Sequence, residues 1–208
     1  MATAESKEAR PGLRAAGVQR TRRDILAAAR QHLIEAGYHR LSMEEVAADA
    51  GVTRVTIYRH FDSKLGLLDA IAEDLAQQAR IVTGMHRASE ISDPVVAFTA
   101  MVTELCRFWS TDPDVFRRLI SLAAVDPEAQ QVIARREEWR YQQISTFVRR
   151  LAQVDRLQSP FQARRATAVI GTVTSFPACD EMSTRLRSSL TELDQLLLAL
   201  LASVVRLD

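Results

Sequence analysis

The stretch from Ser42 to Phe61 constrains the fold more tightly than any other part of the chain. Ser42 and Glu45 stand three residues apart, the spacing at which a hydroxyl and a carboxylate satisfy the free N–H groups of a helix start. Thr53 is a second N-cap residue. Between the two starts lie Ala50 and Gly51, where a helix can end because glycine tolerates the left-handed turn found there. The pattern therefore predicts two short helices joined by a tight turn. Ala47 is small where the helices must cross, and Val46, Val52, Ile57 and Phe61 fall at spacings that point inward as a miniature core. Arg54, Val55, Thr56, Tyr58, Arg59 and His60 are left on the outer face of the second helix.

Helical patterning continues on both sides. Thr21 and Asp24 form a capping pair for a helix that carries Ile25, Ala29 and Leu33 on one face and stops at Gly37. Residues 1–20, with Pro11, Gly12, Gly17 and no apolar period, read as a flexible basic arm. Asp62 or Ser63 caps a helix whose Leu67, Leu68, Ile71 and Leu75 carry it toward Gly84 as a connector. Asp93 and Pro94 open a nearly all-apolar helix through Trp109, and Pro113 and Pro127 bracket a short segment. A long amphipathic helix runs from Glu128 to about Leu157, Pro160 opens the next, and residues 166–178 hold no charge. Leu186, Leu190, Leu193, Leu197, Leu200 and Val204 then alternate in steps of four and three, the spacing of a helix-packing seam. No alternating β-branched run is long enough to build a sheet. The expected fold is all-α, with an arm at 1–20, a three-helix head at 21–66 and a larger helical domain at 67–208.

A rigid helix presented by such a turn has the width that the DNA major groove admits. Its outer residues suit that groove: arginine reads guanine edges or phosphates, threonine and valine meet thymine methyls, and tyrosine and histidine reach phosphates. Arg20, Arg22, Arg23 and Lys64 flank it. The run SMEEVAADAGVTRVTIYRHFDSKLGLL resembles the signature of the TetR family of transcriptional regulators, in which a helix-turn-helix ends in Y-x-x-F followed by a lysine. At motif level the resemblance covers residues 21–68. It implies DNA contacts in the groove from Thr53, Arg54 and Thr56, and phosphate contacts from Tyr58, His60 and Lys64. Ser42, Val55 and Arg59 complete the candidate interface. Gly66 departs from the family pattern, where a helix-favouring residue is usual, and is expected to loosen the first turn of the connector by up to about 1 kcal/mol. Leu33 stands where an aromatic residue is common.

For the larger domain the resemblance implies a homodimer on a palindromic operator, repression by occupancy, and release by a small-molecule effector. A regulator gated by a protein partner, without such an effector, is the alternative. Two recognition helices in a two-fold dimer read half-sites centred roughly 34–36 Å apart. The uncharged helix with Val169 and Val173, and the seam of Leu190, Leu193, Leu197, Leu200 and Val204, are the candidate dimer interface. Phe98, Met101, Trp109, Phe116, Trp139, Tyr141, Phe147 and Phe176 are the candidate lining of an effector pocket, which points to an apolar or aromatic ligand.

Other classes fit poorly. His32, His39, His60 and His86 have no metal-ligand spacing, and neither a phosphate-binding glycine loop nor a nucleophile turn is present, so no metal, no cofactor and no enzymatic activity are expected. Cys106 and Cys179 are too far apart for a zinc motif and read as buried free thiols. A non-specific DNA-compacting protein needs a broad basic surface. This chain is only +1 overall, although residues 1–64 hold eleven basic and eight acidic side chains. With no apolar leader at the start and no run of roughly 18 apolar residues, the expected location is the cytoplasm.

Overall fold

The computed structural model describes residues 11–208, with side chains from residue 15 onward. Eleven α-helices are described: α1 (Pro11–Ala36), α2 (Met43–Asp49), α3 (Arg54–Phe61), α4 (Lys64–Gln78), α5 (Ile81–Glu90), α6 (Pro94–Trp109), α7 (Pro113–Ala123), α8 (Pro127–Gln153), α9 (Ala163–Val173), α10 (Phe176–Leu186) and α11 (Leu193–Leu201). Among the described residues the one extended pairing is an isolated antiparallel bridge between Leu157 and Val205. No described helix is long and apolar enough to cross a membrane. The chain divides into two compact units between Ile71 and Ala72, five residues later than the sequence patterning places the boundary.

In the N-terminal unit α1 packs against α2, and α2 against α3. Ile25, Ala29 and Leu33 of α1 are fully buried, as their spacing requires. His32 of α1 fastens the pair, its Nε2 lying 2.7 Å from an Asp49 carboxylate oxygen at the end of α2. The arm expected through residue 20 is corrected from Pro11 onward, because α1 already begins there; its first ten residues lie outside the described residues. Residues 15–20 are exposed, so helix propensity in Ala15, Ala16, Gln19 and Arg20 carries these turns where no buried face could. A search for apolar periodicity is blind to such a segment.

In the C-terminal unit α6 is the central element, packed against α5, α8, α10 and α11. Asp93 caps it through bonds accepted from Val95 N (2.8 Å) and Val96 N (3.0 Å), which hold its carboxyl below the usual pKa range. Two continuous helices expected from the sequence are broken, and a third starts later than expected. The connector ends at Gln78, where Arg80 adopts a left-handed φ of 51° before α5 starts. The helix expected at Pro160 begins at Ala163. The leucine seam is split, with Leu186 closing α10, Arg187 turning at φ 53°, and Leu190 in a short 3-10 turn ahead of α11. Neither arginine carries a breaker signal, so periodicity runs straight through both breaks.

Candidate nucleic-acid interface

Both short helices of the N-terminal unit start on a hydroxyl. Ser42 Oγ accepts from Glu45 N at 3.3 Å, and Thr53 Oγ1 accepts from Thr56 N at 3.2 Å while lying 3.0 Å from the Thr56 hydroxyl. Between them Gly51 sits at φ +63°, a conformation that side-chain-bearing residues rarely adopt, and Val52 N closes the turn on Ala47 O at 2.9 Å. Val46, Ala47, Ile57 and Phe61 fill the space between the helices. Val52 does not join them: it is half-buried and lines a cleft. The start, the crossing and the direction of α3 are thus fixed by local bonds and four buried side chains.

This leaves one face of α3 in water. Arg54, Val55 and Arg59 are exposed, with Thr56, Tyr58 and His60 half-buried between them. Val55 is 76% exposed, an isopropyl group that nothing in the unit covers. The Arg54 guanidinium donates through Nη1 to the Glu44 carboxylate and through Nη2 to the Tyr58 hydroxyl at 3.2 Å, and its carbon lies 5.3 Å from the Tyr58 ring centroid. The bond to Tyr58 and the charge of Glu44 raise its pKa further. The Lys64 ammonium sits 4.4 Å from the centroid of the Tyr38 ring, and partial burial lowers its pKa. His60 is pushed below 6.5 by burial and then by the charges of Arg59 and Arg22. Arg22 itself lies over the Phe61 ring at 4.7 Å, tying α1 to the end of α3.

Two features were not legible as interface. The early turns of α1 form one wall of a cleft of about 770 Å³, where Gly17, Val18 and Thr21 face Gly51, Val52, Thr53, Thr56, Arg59 and His60. Glu44 lies ten residues from Arg54 and meets it only because α2 and α3 cross. Gly66, expected merely to loosen α4, has a steric reason: a Cβ there would stand 1.9 Å from the Phe61 carbonyl oxygen.

The family model described as bacterial regulatory proteins, tetR family, matches residues 25–71, which span α1 to α4 of this head. The likeness to the TetR family thus lies in this head. It is 36% identical over 67 residues to the HTH-type transcriptional activator FasR of Mycolicibacterium smegmatis, covering 32% of this chain and 30% of FasR. With the HTH-type transcriptional regulator UidR of Escherichia coli K12 it shares 30% over 109 residues, covering 47% and 56%. A third relative, the HTH-type transcriptional repressor BepR of Brucella suis, is 45% identical over 51 residues, 24% of each chain. The chain thus spans between about a quarter and about half the length of these relatives. The fold likeness reaches further. FadR of Bacillus subtilis in complex with stearoyl-CoA superposes with a TM-score of 0.73 at 20% identity, covering 87% of this chain and 97% of that one. A Saccharomonospora viridis regulator in complex with choline gives 0.68 at 18%, covering 90% and 98%.

In the C-terminal unit the candidate pocket residues are mostly core. Phe98, Met101 and Phe147 are at most 1% exposed, and Trp139 and Tyr141 are half-buried. Trp109, Phe116 and Phe176 do come together, with ring centroids 5.0–5.6 Å apart, and Phe108, absent from the sequence-derived set, completes the cluster 5.0 Å from Phe116. Beside it sits Arg140, only 3% exposed, donating to the Glu137 carboxylate (2.7 Å from Nη2) and to Thr174 Oγ1 (3.3 Å). Trp109 Nε1 donates to the Thr174 carbonyl at 2.9 Å. Nothing in the arginine-rich sequence of α8 distinguishes Arg140 from Arg135 or Arg136. The two thiols, Cys106 and Cys179, are buried and pushed up to about 12 by that burial.

The dimer seam is corrected. Leu190, Leu193, Leu197 and Val204 are at most 5% exposed within a single chain, because α11 and the turn before it pack on α6. A four-three leucine spacing specifies packing against a helix without saying whose. Leu200, 48% exposed, and the half-buried Val169 and Val173 remain at the surface.

Proposed function

We propose that this chain is a cytoplasmic transcriptional regulator of the TetR family. In this reading it binds a palindromic operator as a homodimer, with α3 of each protomer in the major groove, and represses by occupying the site. The observation that carries the reading is the outer face of α3: arginine, valine, threonine, tyrosine and histidine held in water on a short helix, fixed at both ends and not needed by the unit's own core. Groove-reading helices present base-contacting residues from their N-terminal turn, which here holds Thr53, Arg54, Val55 and Thr56. Tyr58, Arg59, His60 and Lys64 follow on the phosphate side, and Ser42 caps the supporting helix. Repression is preferred to activation because occupancy needs no further surface, although FasR is named an activator and BepR a repressor.

Release by a small apolar or aromatic effector completes the proposal. It is supported by the aromatic cluster of the C-terminal unit, and by FadR with stearoyl-CoA among proteins of this fold. An effector that favours a DNA-incompatible arrangement weakens DNA binding by the factor that DNA weakens its own. Val169, Val173 and Leu200 are the surface residues assigned to the dimer contact. Selection from a random DNA pool with the full chain, beside Tyr58→Ala, tests the core of the reading. An inverted repeat enriched by the wild type and lost by the variant is expected. Absence of any enriched motif would sink it.

A further inference from the structure

The Glu44–Arg54 contact is an odd one for a surface meant to meet phosphates. Glu44 is the second residue of α2 and Arg54 the first of α3, with side chains 62% and 55% exposed. Neither is needed to close the turn, which the two hydroxyl caps, Gly51 and the buried Val46 and Ile57 already fix. A carboxylate in that place repels the DNA backbone, and a lone arginine at a helix N-terminus opposes the helix dipole. Together with Tyr58, however, Glu44 holds the guanidinium from two sides: Nη1 on the carboxylate, Nη2 on the phenol oxygen at 3.2 Å, and the plane beside the ring at 5.3 Å. An arginine offers five N–H donors in a rigid fork, so three remain for a ligand.

Resting on the DNA-binding reading above, we infer that Glu44 is a specificity-determining positioning residue. It holds Arg54 in one pose, aimed at a guanine edge in the half-site. A guanidinium without that hold has a second use, since its long side chain swings to the nearest phosphate, where it adds affinity and reads nothing. Glu44 closes this option twice over. It occupies one nitrogen, and it cancels the charge that draws the side chain to the backbone. Affinity for arbitrary DNA is lowered, and one base position gains discrimination. Tyr58 serves the same pose from within α3, so its hydroxyl is shared between orienting Arg54 and reaching phosphate.

The test uses the full chain as wild type, Glu44→Gln, Arg54→Ala and the double variant, in pool selection and in salt titrations on the selected site and on random duplex. The wild type is expected to prefer guanine at one position of each half-site, and Arg54→Ala to lose that preference. Glu44→Gln is expected to keep the inverted repeat and every other position while its preference at that base falls about tenfold. Its binding to random duplex should tighten severalfold, with a log–log salt slope steeper by about one phosphate contact. In the Arg54→Ala background the second substitution should change neither base profile nor slope. An unchanged profile in Glu44→Gln, with or without a lower melting midpoint, overturns the inference and leaves Glu44 a helix-start carboxylate. A profile change that persists without Arg54 overturns it too, because Glu44 would then be contacting a base itself. Failure of the wild type to enrich any site withdraws the DNA-binding reading, and this inference with it.

Discussion

The two units of the chain treat their polar side chains in opposite ways. In the N-terminal unit the arginines of α3 stand in water, with its hydroxyls and histidine half-buried at the surface between them, on a frame fixed by caps and a few buried residues. In the C-terminal unit the notable polar group, Arg140, is sunk beside an aromatic cluster, paired with Glu137 and hydrogen-bonded to Thr174. An exposed ion pair such as Glu44–Arg54 adds little stability, so its interest lies in what it orients. A buried pair is costly to break and says little about function unless a ligand exploits it. Charge in the head is therefore a statement about a partner, and charge in the body first a statement about folding.

Arg140→Ala breaks this contrast most sharply. It leaves Glu137 short of its partner and empties a buried space beside the Thr174 hydroxyl, so a loss of about 3 kcal/mol in denaturant unfolding is expected, with the base-preference profile unchanged. A variant that keeps its stability but changes its response to candidate effectors would move Arg140 from folding to function. Gly66→Ala should follow in size. Its Cβ would stand 1.9 Å from the Phe61 carbonyl oxygen, which accepts from Ser63 N in the turn between α3 and α4, so that turn must shift. A loss of about 2 kcal/mol is expected, with weakened DNA binding if α3, the proposed recognition helix, is displaced. A stable Gly66→Ala with native binding would show that α3 tolerates a shift at its end, and would restore the simpler view that this glycine only loosens α4.

The same contrast explains what the sequence alone could show. The head was legible because its determinants are local: Ser42 with Glu45 and Thr53 with Thr56 each lie within a turn of one another and are each one bond in the structure, and Gly51 next to Ala50 marks the turn between them. Glu44 with Arg54 and Lys64 with Tyr38 escaped because they depend on where two helices cross. The body was legible as helices and as apolar content, but not as contacts. The seam from Leu190 to Val204 has the spacing of an interface, and its burial against α6 follows only from the third dimension. Arg80 and Arg187 turn the backbone left-handed without a glycine, and no residue-type signal reports that.

Thr53→Ala sharpens the comparison at smaller scale. Loss of the cap on Thr56 N should cost about 1 kcal/mol of stability, whereas Thr53→Ser should retain it. If both variants lose DNA binding equally, the threonine methyl is a contact in its own right; if only the alanine variant does, the cap is what matters.

The smallest effect concerns His60, whose pKa in the free protein lies below 6.5 because burial, Arg59 and Arg22 all disfavour its charge. That depression has two consequences of opposite sign. For folding, the neutral form is favoured, so His60 contributes stability that is present above pH 6.5 and lost as pH falls through its lowered folded value. For DNA binding, a phosphate against the ring favours the charged form and raises the pKa in the complex. The binding gain is then fully present below the free-state pKa and lost as pH rises through the bound-state value. Between pH 8 and pH 6, affinity for the selected site should rise about threefold more in the wild type than in His60→Gln, the worth of one exposed charge contact. Equal pH profiles in the two proteins would remove His60 from the phosphate side of the interface, and leave its depressed pKa as a consequence of burial and of the Arg59 and Arg22 charges within the free protein.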